Sequence, residues 1–479
     1  MTRDLLELLA AIGVPPRTDW EKAEITGVCD DSRMAQPGSL FVAIPGFVAD
    51  GHRYIRDAVF RGAVAVVGEK EFDSPVPYVR VPDARAALAW LSAEYFFHPT
   101  RDLLTVGVTG TNGKTTICHL IAHLLGEADS EVVGTVTNED RGLHAVTTPE
   151  SHIIQQIANN ARESGKRCLV VETSSAGLAL HRVDGVDFDA AVFTNLTHDH
   201  FEFHATWEAY LEAKLILFKG LKESAAAVIN RDDPVADRVI AETTGRPFTY
   251  GIAGPADFRA TKIEYALKET RFVIEHDNEH AHAAISLPGE HNVYNALAAA
   301  AVATSAGMSL TQIAASLATA SSVDGRYQFH TAKNGATVIV DFAHSPDSLQ
   351  RMLVSLRPYY QRIICVFGCG GESDRDKRPI MGRISGELAD VTILTSDNPK
   401  TENPEEIIDA IAQGLIPTGG RYERIVDRRS SIDRAVELSR PGDVVLLAGK
   451  GHEPYQIVGH EYIPYNDARY LVSAGLVKR

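Results

Sequence analysis

An α/β protein of three domains is what this sequence predicts, on three observations. Its 479 residues exceed what one hydrophobic core organises. From about residue 103 to the end, short β-branched runs alternate with runs of helical period, as in parallel sheets covered by helices. Polar and glycine-rich clusters sit just after the apolar runs, which puts them at the carboxyl ends of strands. The divisions fall at 1–102, 103–329 and 330–479.

Composition sets the broad class. Hydrophobic residues make up 44% and charged residues 23%, ordinary for a globular chain. A net charge of −16 argues against general binding to nucleic acid or to anionic membranes. Cys29, Cys118, Cys168, Cys365 and Cys369 are scattered and form no C-x-x-C pair. That usage fits a reducing cytoplasm. Leu5 to Ile12 is interrupted by Glu7 and reads as a short helix rather than a signal peptide. The longest apolar run, Ala296 to Ala303, is too short to span a bilayer.

In the first domain, Ile25 to Asp31 leads into Asp31-Ser-Arg33, and Leu40 to Ile44 reads as a strand after the Pro37-Gly38 turn. A helix over Tyr54–Arg61, a strand over Ala63–Val67 and a helix over Ala84–Phe97 follow. Asp-Ser-Arg is either a capped turn or a polar ligand site.

The second domain opens on Leu103-Leu-Thr-Val-Gly-Val108, a buried strand, and the helical spacing of Ile117, Leu120, Ile121, Leu124 and Leu125. Between them lies Gly110-Thr-Asn-Gly-Lys-Thr115, followed by Thr116. Gly110 and Gly113 permit a sharp turn that points successive N–H groups at one spot, and the helix dipole adds to it. Lys114 supplies a point charge, and the Thr115 hydroxyl suits magnesium. These features ask for a nucleoside triphosphate. Strict G-x-x-x-x-G-K-[ST] spacing is not met, because Val108 stands where the first glycine belongs. Further strands run over Cys168–Glu172, Ala190–Thr194 and Ala226–Asn230. Glu172 closes its strand as a magnesium ligand or as a cap for the next helix. His198, His200 and His204 also suit zinc, but no cysteine or second cluster completes such a set. Thr206 caps a helix to Phe218, and Lys214 beside its apolar stripe reads as a solvated lysine with a buried stem. Phe258 to Leu287 alternates as strands, and Asn292 and Asn295 either read an adenine or ribose or solvate their own helix.

The third domain has strands over Thr337–Phe342, Ile363–Phe367, Val391–Thr395, Arg424–Val426 and Val444–Leu447, a doubly wound, Rossmann-like pattern. Its strand ends carry Asp341-Phe-Ala-His344, Gly368-Cys-Gly-Gly371, Asp397-Asn-Pro-Lys400 and Gly449-Lys-Gly-His-Glu453. They read as a second-substrate face closing on the triphosphate site.

Together these motifs resemble the Mur ligases over essentially the full chain, and within them the branch of UDP-N-acetylmuramoyl-tripeptide synthetases. The resemblance implies an N-terminal UDP-sugar domain, a central P-loop-type ATPase domain and a C-terminal amino-acid domain. Ser32 and Arg33 match the uridine-binding domain. Thr147 and Thr148 of Thr147-Thr-Pro149, with Ser174 and Arg182, match contacts to the UDP-muramoyl-dipeptide. Gly110 to Thr116, Asn295, Arg326 and Asp341 match the ATP site. Asn195 to His200 matches the N-L-x-x-D-H magnesium segment, and Lys214 falls at the family's carbamylated lysine. Thr115, Glu172, His200 and the Lys214 carbamate are then the metal-holding set, and Lys114, Glu172, His200 and Lys214 the catalytic one. Arg375, Asp397, Asn398, Lys400, Gly449 and Glu453 fall in the loops around the incoming amino acid. The implied reaction is ATP- and magnesium-dependent amide ligation. A diamino acid, meso-diaminopimelate first and L-lysine or L-ornithine second, is added to UDP-N-acetylmuramoyl-L-Ala-D-Glu by a cytoplasmic monomer.

The sequence departs from the family at named places. Ala176 replaces a histidine, and Leu180 stands where some members have a glutamine. Ser373 occupies the place of the carboxylate-binding arginine, with Arg375 two residues late. Lys400 replaces the arginine of D-N-P-R, keeping the charge but losing the planar fork. A folylpolyglutamate synthase would share the phosphate loop but not Asp31-Ser-Arg33 and Thr147-Thr-Pro149. A silent nucleotide-binding scaffold would be expected to lack some of Lys114, Glu172, His200 and Lys214, and a GTPase would need an N-K-x-D motif.

Overall fold

The structure is a computed structural model that describes residues 1–15, 23–46, 49–144, 146–197 and 203–478. Three main sheets follow one another along the chain. The first has four parallel strands in sequence order, Gly27–Cys29, Ser39–Ala43, Ala63–Gly68 and Tyr78–Arg80. The expected helix from Tyr54 is a 3₁₀ turn, Gly51–Tyr54, that runs into the α-helix Ile55–Phe60. Helix Ala84–Tyr95 stops two residues before the expected Phe97, because Phe97 and His98 take positive φ.

The central sheet has nine strands. Its order is Glu279–Ile285, Glu269–His276, Phe258–Ala266, Arg246–Gly251, Ala226–Asn230, Ala190–Phe193, Leu104–Thr109, Cys168–Glu172, Ser130–Val133. The last six of that order are parallel, and the first three form an antiparallel meander. Alternate residues of each parallel strand feed two different cores. Val106, Val108, Val170, Val192 and Val228 face one, while Leu169, Val171, Phe193 and Ile229 face the other. A parallel sheet covered on both faces demands this near-continuous apolarity. Helix Lys114–Leu125 leaves the phosphate-loop strand, and Leu120, Ile121 and Leu124 lock it onto the first core.

The third sheet has the order Gln328–Thr331, Thr337–Asp341, Asp443–Ala448, Arg362–Phe367, Val391–Leu394, Tyr422–Arg424. All pairs are parallel except the first. Strand Gln328–Thr331 straddles the 329/330 division, pulled into this sheet by pairing with Thr337–Val340. The strand expected over Arg424–Val426 is instead Tyr422–Arg424, since the chain turns after it toward Asp427, which caps the next helix. A hairpin, Tyr455–Val458 with Glu461–Pro464, projects from the sheet's carboxyl end. No helix among the described residues is long and apolar enough to cross a membrane. All five cysteines are buried and unpaired.

Candidate active site

The strand ends of the central and third sheets face one another across a cavity of about 600 Å³. Thr111 to Thr116, Thr147, Glu172 and Asn295 line it from one side, and Arg326, Asp341 and Glu453 from the other. Twelve residues singled out from the sequence thus meet in one space.

The phosphate loop has the form its glycines predict. Gly110 and Gly113 take φ of +144° and +91°. A Cβ on Gly110 would lie 1.8 Å from Thr194 Oγ1, so the neighbouring strand end can approach only a glycine. Lys114 Nζ lies over its own loop and donates to the carbonyls of Gly110 (2.9 Å) and Thr111 (2.8 Å). The Thr115 hydroxyl donates to Glu172 Oε2 at 3.1 Å. Glu172 also accepts from the Thr135 N–H at 3.0 Å, and Gly134 before it leaves room for the carboxylate.

Glu172 is 1% exposed. Burial raises its pKa, opposed by Lys114 and Arg326. Asp341 is likewise raised by burial and opposed by Arg326. An under-compensated buried carboxylate beside a threonine hydroxyl is a hard-oxygen donor set, and it fits magnesium. Arg326 ties the two domains across the cavity. Its Nη2 donates to Thr115 Oγ1 at 3.2 Å, and its guanidinium lies 4.3 Å from the Phe342 ring centre. A second tie runs from Asn112 Nδ2 to Asp347 Oδ2 at 2.9 Å. Asn292 and Asn295 are both buried, and Asn295 Nδ2 donates to Asn292 Oδ1 at 3.0 Å. They serve their own helix and wall the cavity at once.

Lys214 corrects the solvated reading. It is 1% exposed on helix Trp207–Lys219, with Nζ 4.3 Å from the Tyr210 ring centre. The Tyr210 hydroxyl meets Thr111 Oγ1 at 3.0 Å, so Lys214 connects to the phosphate loop through one side chain. His200, and His198 beside it, lie outside the described residues.

Thr148, Ser174 and Arg182 form a cluster behind Thr147. Thr148 Oγ1 and Ser174 Oγ are 2.9 Å apart, and Arg182 donates to the Thr148 carbonyl at 2.9 Å. Ser32 and Arg33 stand apart, in the first sheet's unit. Asp31 caps the 3₁₀ turn Ser32–Met34, Ser32 Oγ donates to Asp57, and Arg33 is exposed with its fork on Asp31.

At the opposite end, Glu453 Oε2 accepts from Asn398 Nδ2 (3.0 Å) and Lys450 Nζ (2.6 Å). Gly449 takes φ of +103°, and a Cβ there would lie 2.6 Å from Asp397 Oδ2. Lys400 takes φ of +51°, and its N–H bonds the Ile457 carbonyl. Arg375 is exposed, 3.3 Å from Glu402. Arg378, which the sequence reading passed over, is buried and forks on that same Glu402. The reading also missed Tyr455, whose hydroxyl donates to Glu139 Oε1 of the central domain at 2.7 Å.

Comparison with known proteins places the arrangement. Three family profiles match, described as the Mur ligase family catalytic domain (24–96), the Mur ligase middle domain (108–303) and the Mur ligase glutamate ligase domain (325–451). A UDP-N-acetylmuramoyl-L-alanyl-D-glutamate--2,6-diaminopimelate ligase of Caldanaerobacter subterraneus subsp. tengcongensis is 41% identical over 452 residues, 93% of each chain. The enzyme of the same name from Geobacillus thermodenitrificans is 42% identical over 94% of each chain. A solved structure of a ligase of that name superposes with a TM-score of 0.68 at 32% identity, covering 99% of both chains. The chain belongs to the Mur ligase family.

Proposed function

We propose that this chain is an ATP-dependent amide ligase of peptidoglycan precursor synthesis, acting in the cytoplasm as a monomer. It joins the amino group of meso-diaminopimelate to the γ-carboxylate of the terminal D-glutamate of UDP-N-acetylmuramoyl-L-Ala-D-Glu. The observation that carries the reading is the single cavity lined by the phosphate loop and Glu172 on one side and by Arg326 and Glu453 on the other.

A γ-carboxylate oxygen attacks the γ-phosphorus of ATP, the bond to ADP breaks, and an acyl phosphate forms. The incoming amine then attacks the acyl carbon, phosphate leaves, and the nitrogen gives up its proton. Thr148, Ser174 and Arg182 orient the muramoyl-dipeptide, and Ser32 and Arg33 hold its uridine end. Lys114 and Arg326 offset the charge on the transferring phosphoryl group. Asn295 and Asp341 hold the nucleotide against the interdomain face. Magnesium would be held by Thr115 and Glu172, with His200 and a carbamylated Lys214, and would neutralise phosphate charge. Glu453 receives an ammonium of the incoming amino acid, framed by Asp397, Asn398 and Gly449, while Lys400 and Arg375 face its distal carboxylate.

One observation favours L-lysine or L-ornithine as a second reading. The Ser373 hydroxyl turns to the Gly370 carbonyl at 3.0 Å, and Arg378 is committed to Glu402, so neither supplies an arginine fork for a distal carboxylate. The test is phosphate release from ATP with the UDP-muramoyl-dipeptide and each of meso-diaminopimelate, L-lysine, L-ornithine or no amino acid. Preference for diaminopimelate is expected. Preference for lysine or ornithine selects the second reading, and no release with any of them refutes the ligase. Lys114→Ala and Lys214→Ala are expected to abolish release in folded protein.

A further inference from the structure

Lys450 is the most deeply buried ammonium at the amino-acid end, at 0% exposure. Isolated burial of a charge costs several kcal/mol, so an ammonium at this depth has to be paired. Glycines at 449 and 451, both at positive φ, turn the loop so that Lys450 points inward. Its Nζ donates to Asn398 Oδ1 at 2.7 Å and Glu453 Oε2 at 2.6 Å, and lies 4.0 Å from Asp397 Oδ1. Asn398 closes the ring through Nδ2 to the same Oε2. The Ile457 N–H also donates to Asn398 Oδ1, at 3.0 Å, which fixes which way the amide faces.

The result is a one-sided carboxylate. Both donors sit on Oε2, no hydrogen bond to Oε1 forms among the described residues, and Glu453 lines the cavity. A carboxylate that lines the cavity and has donors on one oxygen only keeps acceptor capacity for a further partner. Granted the ligase reading above, we propose that Lys450 is a positioning residue. It keeps Glu453 ionised and aimed so that Oε1 accepts the distal, non-reacting ammonium of the incoming diamino acid.

The groups facing Glu453 are Lys450, Asp397, Arg326 and Tyr455, with Glu139 behind Tyr455 and His452 next in the chain. Burial raises the Glu453 carboxyl above its ordinary range, Asp397 adds to that, and Lys450 is the main charge opposing them. Without that ammonium Glu453 tends toward the neutral acid, which cannot pair with a cation. The defect is therefore worst at low pH and eases as the pH rises.

Lys450→Met is assayed across pH 6 to 9 for KM of diaminopimelate, ATP and the UDP-muramoyl-dipeptide. The KM for the diamino acid is expected to rise about tenfold or more near neutrality, with kcat at saturation little changed. It is expected to fall again toward high pH, with the other two KM values unmoved and partial rescue by Lys450→Arg. Hydroxylamine trapping of the acyl phosphate, with no amino acid present, reads the first half-reaction alone. If the wild type gives neither hydroxamate nor phosphate release, the ligase reading itself is overturned. Intact trapping in Lys450→Met with a wild-type KM and pH profile overturns only the role of Lys450. Should Lys450→Met not fold, half-buried Asn398→Ala takes its place, and an unchanged KM for the diamino acid there overturns the proposal.

Discussion

Asp467→Ala tests whether the amino-acid loop is anchored by a buried ion pair. Arg428 opens helix Arg428–Leu438 and Asp467 opens helix Asp467–Ser473; their side chains are 1% and 0% exposed. Arg428 Nε and Nη2 fork on the two Asp467 oxygens at 2.9 and 2.7 Å, and Tyr465 donates to Asp467 at 2.8 Å. Nη2 also bonds the carbonyl of Ala448, the residue before Gly449, at 3.0 Å. Burial alone would lower the Arg428 pKa, but Asp467 outweighs it and holds the guanidinium charged. Removing the carboxylate leaves that charge buried and unpaired, at a cost of about 3–5 kcal/mol. For a unit of this size the melting temperature should drop by about 6–20 °C. Calorimetry of the C-terminal transition reads it, and Asp467→Ala should also raise the KM for the amino acid because Arg428, freed from Asp467, no longer holds the Ala448 carbonyl in place. Arg428→Met combined with Asp467→Leu should recover most of the stability, since apolar replacement of a buried pair is often near neutral. A drop under about 2 °C for Asp467→Ala, or a double variant as unstable as the single one, refutes the reasoning.

Two further outcomes follow from contacts elsewhere. Tyr455→Phe deletes one hydrogen bond between domains, to a carboxylate that His144 also engages at 2.8 Å. A bond to a charged group is worth about 1.5–3 kcal/mol, so kcat/KM should fall by about tenfold to a hundredfold with thermal stability nearly unchanged; wild-type kinetics would show that the contact does not bear on closure. Glu402 is held down to about 2, first by its hydrogen bonds from Arg378. A depressed carboxyl stabilises the fold fully above the ordinary glutamate range and loses that contribution as the pH falls toward 2. The melting temperature should therefore decline less steeply below pH 4.5 in Glu402→Gln than in the wild type, and equal slopes would deny the pair its role.

The phosphate loop was legible because its strand, turn and helix each carry an independent pattern that agrees with the others. Glu172 was legible for a related reason: a carboxylate at the end of an apolar strand is hard to place unless it faces a site. Strand Ser130–Val133 was not, being four residues at the sheet's edge, where little periodicity accumulates. The hairpin Tyr455–Pro464 did carry a signal, since Gly459-His460 is a two-residue turn between alternating residues. The burial of Lys214 was hidden, because its place next to a helical stripe fits a solvated stem as well as a buried ammonium. Lys450 was hidden too. Its meaning lies in Asn398 and Glu453, and a contact 52 residues away leaves no local trace.

On the proposed reading, charge placement at the amino-acid end would treat the ammonium and the distal carboxylate of a diamino acid differently. The ammonium end is built from the buried Lys450 and two half-buried partners held in place: Lys450, Asn398 and Glu453 constrain one another within 3.0 Å. The carboxylate end is not. Arg378 is spent on Glu402, Ser373 on a backbone carbonyl, and Arg375 stands in solvent with 72% of its side chain exposed. Buried charge pairs in a fixed frame discriminate strongly, whereas an exposed cation is screened by salt and loses entropy on ordering. On the proposed reading, recognition of an ammonium is therefore the rigid requirement of this site. On that reading, preference for a distal carboxylate would rest on Lys400 and Arg375 at the rim, where a lysine offers a point charge in place of an arginine fork.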